Sequence, residues 1–355
     1  MAEQSRPNGK TVVMITTPLE QEFVERIAAV APDRVELINR PDLMPPTTYL
    51  NDHTGPAGWS RTPEQEAEWR TLLRHAEVLW DFAAAKDAGP FELSPSLKWV
   101  QTSSAGVGQY VHRLGVADSD LIVTTSSGVH AEALTEFVFA VLLYHEKRFG
   151  ELHSMQRERT WRRFCGGELT GKTIAIIGPG RIGREIARIA KAFGLRVHVM
   201  PRTFDPARAA ELGADEVFSR DQLQELLASA DFVVLSTPHT PDTVGLIGAA
   251  EIAAMKPGVV LVNIARGVVI DEDALIEALQ NSKIAFAGLD VFRTEPLPQD
   301  SPLWSLPNVL INPHSASTAP SENARITDIF CRNLRHYLDG RYEEMSPLLD
   351  KQRMY

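Results

Sequence analysis

Four residues in the last third of the chain, Arg266, Asp290, Glu295 and His314, are of types that can handle an oxo acid. An arginine grips a carboxylate with two parallel N–H groups, and a histidine exchanges a proton with a hydroxyl or carbonyl oxygen near neutral pH. A carboxylate beside that histidine favours the imidazolium form. Reduction of a 2-oxo acid needs a cation for the carboxylate, a proton for the carbonyl oxygen and a hydride for the carbonyl carbon. Arg266 and His314 can supply the first two. Taken singly, each residue also reads as a surface charge or a capped loop. Each, however, follows an apolar run of strand type: Val259–Asn263 before Arg266, Ile284–Asp290 before Glu295, and Val309–Asn312 before His314. The carboxyl ends of parallel strands in one open sheet are where such sheets bind ligands.

The hydride source is suggested by Gly178-Pro-Gly180-Arg181-Ile182-Gly183, which follows the apolar run Ile174–Ile177 and opens a pattern with Ile182, Ile186 and Ile189 on one helical face. In that setting Gly178 allows the tight turn, Gly180 lets backbone approach a pyrophosphate, and Gly183 lets helix pack on strand. Pro179 removes one donor, while the N–H groups of Arg181 and Ile182 remain for the anion at the helix start.

The elements that must position these residues alternate between strand and helix. The first part reads as strands at Thr11–Thr16, Val35–Asn39, Glu77–Phe82, Leu97–Gln101 and Leu121–Thr125, with helices at Glu20–Ala31 and Pro63–His75. Arg40–Thr62, rich in Pro, Thr and Gly, reads as irregular loop. A long apolar helix, Ala131–Arg148, is expected to link two domains, and the charged stretch up to Thr170 reads either as an arm carrying Trp161 and Phe164 toward a partner subunit or as a segment that packs them within the chain. Beyond it come further strands at Arg196–Met200, Glu216–Phe218 and Asp231–Pro238, with helices near Arg208–Leu212, Leu223–Ala228, Ala249–Met255 and Glu272–Asn281, and a last helix at Ser321–Leu338. The fold class is α/β, with two Rossmann-like, doubly wound parallel-sheet domains and a cleft between them. Ser104-Ala105-Gly106-Val107, in a small-residue loop after Leu97–Gln101, can offer backbone N–H groups to a carboxylate.

A chain of 355 residues suits two domains, and 44% hydrophobic with 23% charged residues is a globular composition. A net charge of −10 argues against nucleic acid or anionic membrane as a partner. Cys165 and Cys331 form no metal or redox spacing, so no metal is expected. The polar N-terminus, Met1–Lys10, reads as a frayed tail without the apolar core of a signal peptide, and no apolar run is long enough to span a bilayer. The expected location is cytoplasmic.

Over nearly its full length the chain resembles the D-isomer-specific 2-hydroxyacid dehydrogenases. The resemblance rests on Gly178–Gly183, Asn263-Ile-Ala-Arg266-Gly-Val-Val-Ile-Asp271, Gly288-Leu-Asp290-Val-Phe-Arg-Thr-Glu295-Pro and Leu306-Pro-Asn-Val-Leu-Ile-Asn-Pro-His314-Ser-Ala-Ser317. It implies a substrate domain from residues 1–125 and 318–355, an inserted nucleotide domain at 126–317, and a homodimer. It further implies that Arg266 binds the substrate carboxylate and keto oxygen, His314 is the acid/base, and Glu295 pairs with His314. Asp290 is implied as partner of the nicotinamide carboxamide, Pro238 as part of the cofactor's path, and Ser104–Val107 as a backbone clamp for the carboxylate. The expected reaction is hydride transfer between a nicotinamide cofactor and a small 2-oxo or 2-hydroxy acid, as in glyoxylate/hydroxypyruvate reductases. Formate dehydrogenases share the scaffold but carry glutamine in place of Glu295.

Three positions depart from the pattern. Gly108 stands where many relatives have aspartate, and His239 where leucine is usual. Pro201 occupies the place, about 20 positions past the glycine motif, of the acidic residue that accepts from the ribose of NAD. Arg202 and Thr203 follow, able to pair with and donate to a 2′-phosphate, so NADP(H) is expected over NAD(H), with Asp205 as the rival that could reach the ribose. Two other readings share the scaffold. One is a nucleotide-sensing module of the corepressor type, which would not turn over oxo acids. The other is a dehydrogenase for phosphite or a phosphorylated hydroxyacid, which would require extra cations.

Overall fold

In the computed structural model, which describes residues 9–83 and 87–354, the chain divides into two compact units, Met1–Val129 with Thr318–Tyr355, and His130–Ser317. Most of the expected N-terminal tail lies outside the described residues. The change of unit falls after Val129, four residues later than the expected Thr125. Local bonds explain the difference. Thr125 N–H donates to Pro347 O (3.0 Å), Ser126 Oγ to Thr102 O (2.7 Å), and Arg325 Nη1 to Val129 O (3.0 Å), all within the first unit.

The first unit holds five parallel strands: β1 (Thr11–Ile15), β2 (Val35–Ile38), β3 (Val78–Trp80), β4 (Trp99–Gln101) and β5 (Ile122–Thr124), in the order β2-β1-β3-β4-β5. Its core brings residues of both chain ends together. Phe330 and Tyr337, on the helix Glu322–Leu338, stack on Trp99 at 5.0 and 5.5 Å between ring centroids, and Trp80 meets Phe330 edge-on at 5.4 Å. Two short helices had escaped the reading of the sequence, Pro90–Leu93 and Gly108–Arg113. The expected loop at Arg40–Thr62 contains one short turn of 3₁₀ helix, Pro41–Leu43, and is organised by Asp52. Burial would raise the Asp52 carboxyl, but the N–H and hydroxyl of Thr48 and the N–H groups of Gly55 and Thr54 hold it well below the usual carboxylate range.

The second unit holds seven parallel strands: β6 (Thr173–Ile177), β7 (Arg196–Met200), β8 (Glu216–Val217), β9 (Phe232–Leu235), β10 (Val259–Asn263), β11 (Ile284–Leu289) and β12 (Val309–Ile311). Their order, β12-β11-β10-β9-β6-β7-β8, reverses direction between β6 and β9. Every residue of β6, β9 and β10 is buried, as expected of strands covered by helices on both faces. The long helix ends at Glu146, where Arg148 adopts a left-handed conformation (φ 55°) and a second helix, Phe149–Arg157, begins inside the stretch read as an arm.

Candidate active site

The glycine turn after β6 has the three properties its spacing suggests. Gly178 has φ 93°, and a Cβ there would lie 2.8–2.9 Å from Thr237, at the carboxyl end of β9. Gly183 fits only without a side chain, since a Cβ would come within 2.8 Å of Gly178 O. At Gly180 an added Cβ would meet nothing within 4 Å. Gly178 and Gly183 therefore build the turn, and Gly180 leaves an open face in front of it. Arg184 N–H donates to Gly180 O (2.9 Å), so the helix-start amides before it, that of Ile182 among them, point out of the turn. Ser236 fastens this turn to the next strand, its hydroxyl donating to Gly178 O at 2.9 Å, while the buried Thr237 hydroxyl has no partner among the described residues. An open glycine face, helix-start amides and an orphaned hydroxyl at the strand-order reversal fit the pyrophosphate of a dinucleotide.

Along the same sheet edge, the loops after β10, β11 and β12 lock together. Gly267 lies so close to Phe292 that a Cβ would fall 1.9 Å from its carbonyl carbon, which fixes Arg266 beside the loop that carries Glu295. Glu295 accepts from Phe292 N–H at 2.9 Å through Oε1, and its Oε2 lies 2.7 Å from His314 Nδ1. Burial would raise the Glu295 carboxyl. The bonds from His314 and Phe292 and the charges of His314 and Arg266 outweigh it and hold the group below its ordinary value. Glu295 is therefore ionised at neutral pH and can only accept, so Nδ1 must carry the proton. This fixes the tautomer and leaves Nε2 as the ring atom that takes up or releases one. His314 sits at φ 53°, a left-handed conformation for a non-glycine residue, with its N–H on Asn312 O (3.0 Å).

Arg266 is half-buried, with Nη1 donating to Ala265 O at 2.7 Å. Burial lowers its pKa, opposed by Glu295 and Asp290, yet a guanidinium starts so high that it stays charged. Asp290 is 2% exposed, and its Oδ1 accepts from Asn312 Nδ2 (2.6 Å) and Ala316 N–H (3.0 Å), which ties the His314 loop to β11. Asn263 does the same for the arginine loop, accepting from Ala265 N–H at 3.0 Å. Neither asparagine stood out in the sequence, although Asn263 ends β10 and Asn312 follows β12, both inside the motifs quoted above. His239 follows β9 and is half-buried; burial first, then the charge of Arg266, pushes its pKa down.

At the end of β7, Pro201 is buried while Arg202 and Thr203 are exposed. Arg202 Nη2 lies 3.9 Å from Asp242 Oδ2. The rival Asp205 caps the turn Pro206–Arg208, its side chain accepting from Ala207 N–H at 3.0 Å. In the first unit, Ser104 and Gly106 are exposed, Ala105 is half-buried and Val107 buried. The loop is braced by Thr102 Oγ1 donating to Ser104 O (2.6 Å) and by Ser126 N–H on the same carbonyl (3.3 Å). Ser103 N–H donates to Asp81 Oδ2 at 3.2 Å, a brace the sequence did not suggest. Among the described residues, no group of three or more His, Cys, Asp or Glu is placed to hold a metal, and no helix is long and apolar enough to cross a membrane.

The chain as a whole is similar to proteins of known family. Residues 139–316 match the family profile "D-isomer specific 2-hydroxyacid dehydrogenase, NAD binding domain". A D-3-phosphoglycerate dehydrogenase of Mycobacterium bovis is 35% identical over 309 residues, covering 82% of this chain and 57% of that protein, so the chain spans little more than half the length of such relatives. A glyoxylate reductase of Thermococcus gammatolerans is 38% identical over 272 residues, covering 74% of this chain and 79% of that one. A solved D-isomer specific 2-hydroxyacid dehydrogenase from Xanthobacter autotrophicus Py2, in complex with NADPH and MES, superposes with a TM-score of 0.72 at 27% identity, covering 98% of this chain and all of that one.

Proposed function

The chain belongs to the D-isomer specific 2-hydroxyacid dehydrogenase family, and on that premise we propose that it reduces a small 2-oxo acid to the D-2-hydroxy acid with a nicotinamide cofactor. The observation that carries the proposal is the His314–Glu295 pair, joined at 2.7 Å beside Arg266 on the sheet edge that bears the glycine turn. The cofactor would be held by Gly178, Gly180, Arg181, Ile182 and Gly183 at its pyrophosphate, with Pro238 along its path and Asp290 near its carboxamide. When bound there it supplies the hydride. His314, protonated, donates from Nε2 to the carbonyl oxygen, and Glu295 holds the imidazolium in place. Arg266 grips the carboxylate and polarises the keto oxygen. In this reading the loop Ser104–Val107 is a further carboxylate anchor, since the N–H groups of Ala105 and Val107 make no hydrogen bond among the described residues.

NADP(H) is the preferred cofactor in this reading. Support comes from Pro201 in the place of an acid, from the exposure of Arg202 and Thr203, from the capping role that occupies Asp205, and from the NADPH in the 27%-identical relative. The assembly is a homodimer, for which Trp161, 95% exposed in the segment after Arg157, is a ready contact. A phosphorylated hydroxyacid is the rival substrate, as in the mycobacterial relative. Against it, the arginines of the loop after β2 are engaged: Arg40 with Asp42 and Glu68, and Arg61 with Glu66, its guanidinium 4.0 Å from the ring of Trp69. A spectrophotometric screen of glyoxylate, hydroxypyruvate, pyruvate and phosphohydroxypyruvate with NADH and NADPH in parallel tests the reaction, the cofactor and the rival substrate. Oxidation of NADPH by an unphosphorylated 2-oxo acid is expected, and failure to turn over any oxo acid would leave a nucleotide-sensing role instead.

A further inference from the structure

The chain's last described residues form a built structure and end against the loop proposed to anchor the substrate. Ser346 is held by Asn333, which accepts its N–H at 3.0 Å and donates back to its carbonyl at 3.2 Å. From there the chain runs antiparallel to β5, with Thr125 N–H on Pro347 O (3.0 Å), a bridge between Thr124 and Leu348, and Leu349 N–H on Val123 O (2.9 Å). It then closes a turn in which Asp350 Oδ1 accepts from the N–H groups of Gln352 (3.1 Å) and Arg353 (2.9 Å), and Asp350 O accepts from Met354 N–H (2.7 Å). Lys351 Nζ fastens this turn by donating to the carbonyls of Ser119 and Leu121, and Lys351 O lies 3.3 Å from His112 Nε2.

The turn presents Met354 to Gly108, the first residue of the helix that follows the loop Ser104–Val107. A Cβ on Gly108 would stand 2.1 Å from Met354 O, and its three nearest atoms would all belong to Met354. Gly108 has an ordinary negative φ, so its backbone conformation does not demand glycine. The close approach of the C-terminal turn does.

We propose that residues 350–354 are a positioning segment for the carboxylate loop. By seating Met354 on Gly108 and tying Lys351 behind the same helix, they hold the amides of Ser104–Val107 in register for the substrate. The proposal rests on the loop's role as carboxylate anchor proposed above. Fixing a loop before the ligand arrives lowers the entropy lost on binding, so the effect falls on substrate affinity.

The test compares the full chain with a variant lacking residues 351 onward, with Gly108→Ala, with both together, and with Lys351→Ala. Deletion is expected to raise KM for glyoxylate by about tenfold, a change typical of one lost anchoring contact, with KM for NADPH within about twofold. Amide hydrogen exchange at 104–108 should quicken in parallel. Gly108→Ala should reproduce the deletion, and in the deleted chain, where Met354 is gone, it should add almost nothing. Lys351→Ala, the mildest change, should move the same two readouts in the same direction. Unchanged exchange and KM in the deletion variant would overturn the proposal, as would additive effects of Gly108→Ala and the deletion. If the full chain reduces no 2-oxo acid, the functional reading falls, and the exchange measurement still decides whether the turn positions the loop.

Discussion

Replacing His314 tests the proton-transfer assignment most directly, provided that chemistry is separated from backbone. Alanine at this position confounds the two, because it leaves Glu295 without its partner and suits the left-handed φ of 53° less well than histidine does. Asparagine is the sharper probe. It tolerates the left-handed region far better, and its amide can donate to Glu295 Oε2, now 2.7 Å from Nδ1. What asparagine lacks is an atom equivalent to Nε2 that can carry a transferable proton. Both His314→Asn and His314→Ala should therefore lose about 10²- to 10⁴-fold in kcat for glyoxylate reduction, the usual weight of general acid–base catalysis. His314→Ala should also lose more stability than His314→Asn, since it gives up both the partner of Glu295 and a residue type that suits the left-handed region. The assays are NADPH oxidation at saturating substrate, NADPH binding by fluorescence, and urea unfolding of all three proteins. A His314→Asn enzyme within about tenfold of the wild-type kcat would refute the assignment. So would an asparagine variant far more active than the alanine one, since geometry rather than a proton would then be what His314 provides.

Arg266→Lys keeps the charge and loses the fork; forfeiting about 1.5–3 kcal/mol of charge-assisted bonding should lower kcat/KM for the oxo acid about 10- to 150-fold, and unchanged kinetics would remove Arg266 from the site. Arg202→Ala should raise KM for NADPH much more than KM for NADH, and a wild-type preference for NADH would overturn the choice of cofactor. Because the folded carboxyl of Glu295 is held below its ordinary 4.5, its contribution to stability is present above that pH and is lost as pH falls through the lower, folded value. The difference in urea midpoint between wild type and Glu295→Gln should therefore shrink on acidification through the carboxylate range, and a gap that stays constant down to pH ~3 would contradict the pairing.

The glycine turn was legible in the sequence because what each glycine does is local. A positive φ, an open face and a close helix–strand approach all lie within six residues. The strands of the second sheet were legible because burial on both faces makes them continuous apolar runs. The helix Gly108–Arg113 was not, since six residues beginning with glycine show no helical period. Phe149–Arg157 was hidden by the preceding helix: nothing in the sequence marks the left-handed Arg148 that separates them. Motifs brought Arg266, Glu295 and His314 to notice. What holds them could not be read, because the contact of Gly267 with Phe292, the ties from Asp290 to Asn312 and Ala316, and the cover on Gly108 all join distant parts of the chain.

The first unit is assembled from both ends of the chain, and this sets an order on its birth at the ribosome. Residues 130–317 form one uninterrupted segment, able to fold as soon as they emerge. The 129 residues made before them cannot finish, because Trp80 and Trp99 pack against Phe330 and Tyr337, which are translated about 230–250 residues later. At ~5–20 residues per second, those indoles wait roughly 12–50 seconds for their ring partners. The segment before residue 130 is thus completed after the one that follows it, and during synthesis its unfinished apolar face is the surface a chaperone would meet.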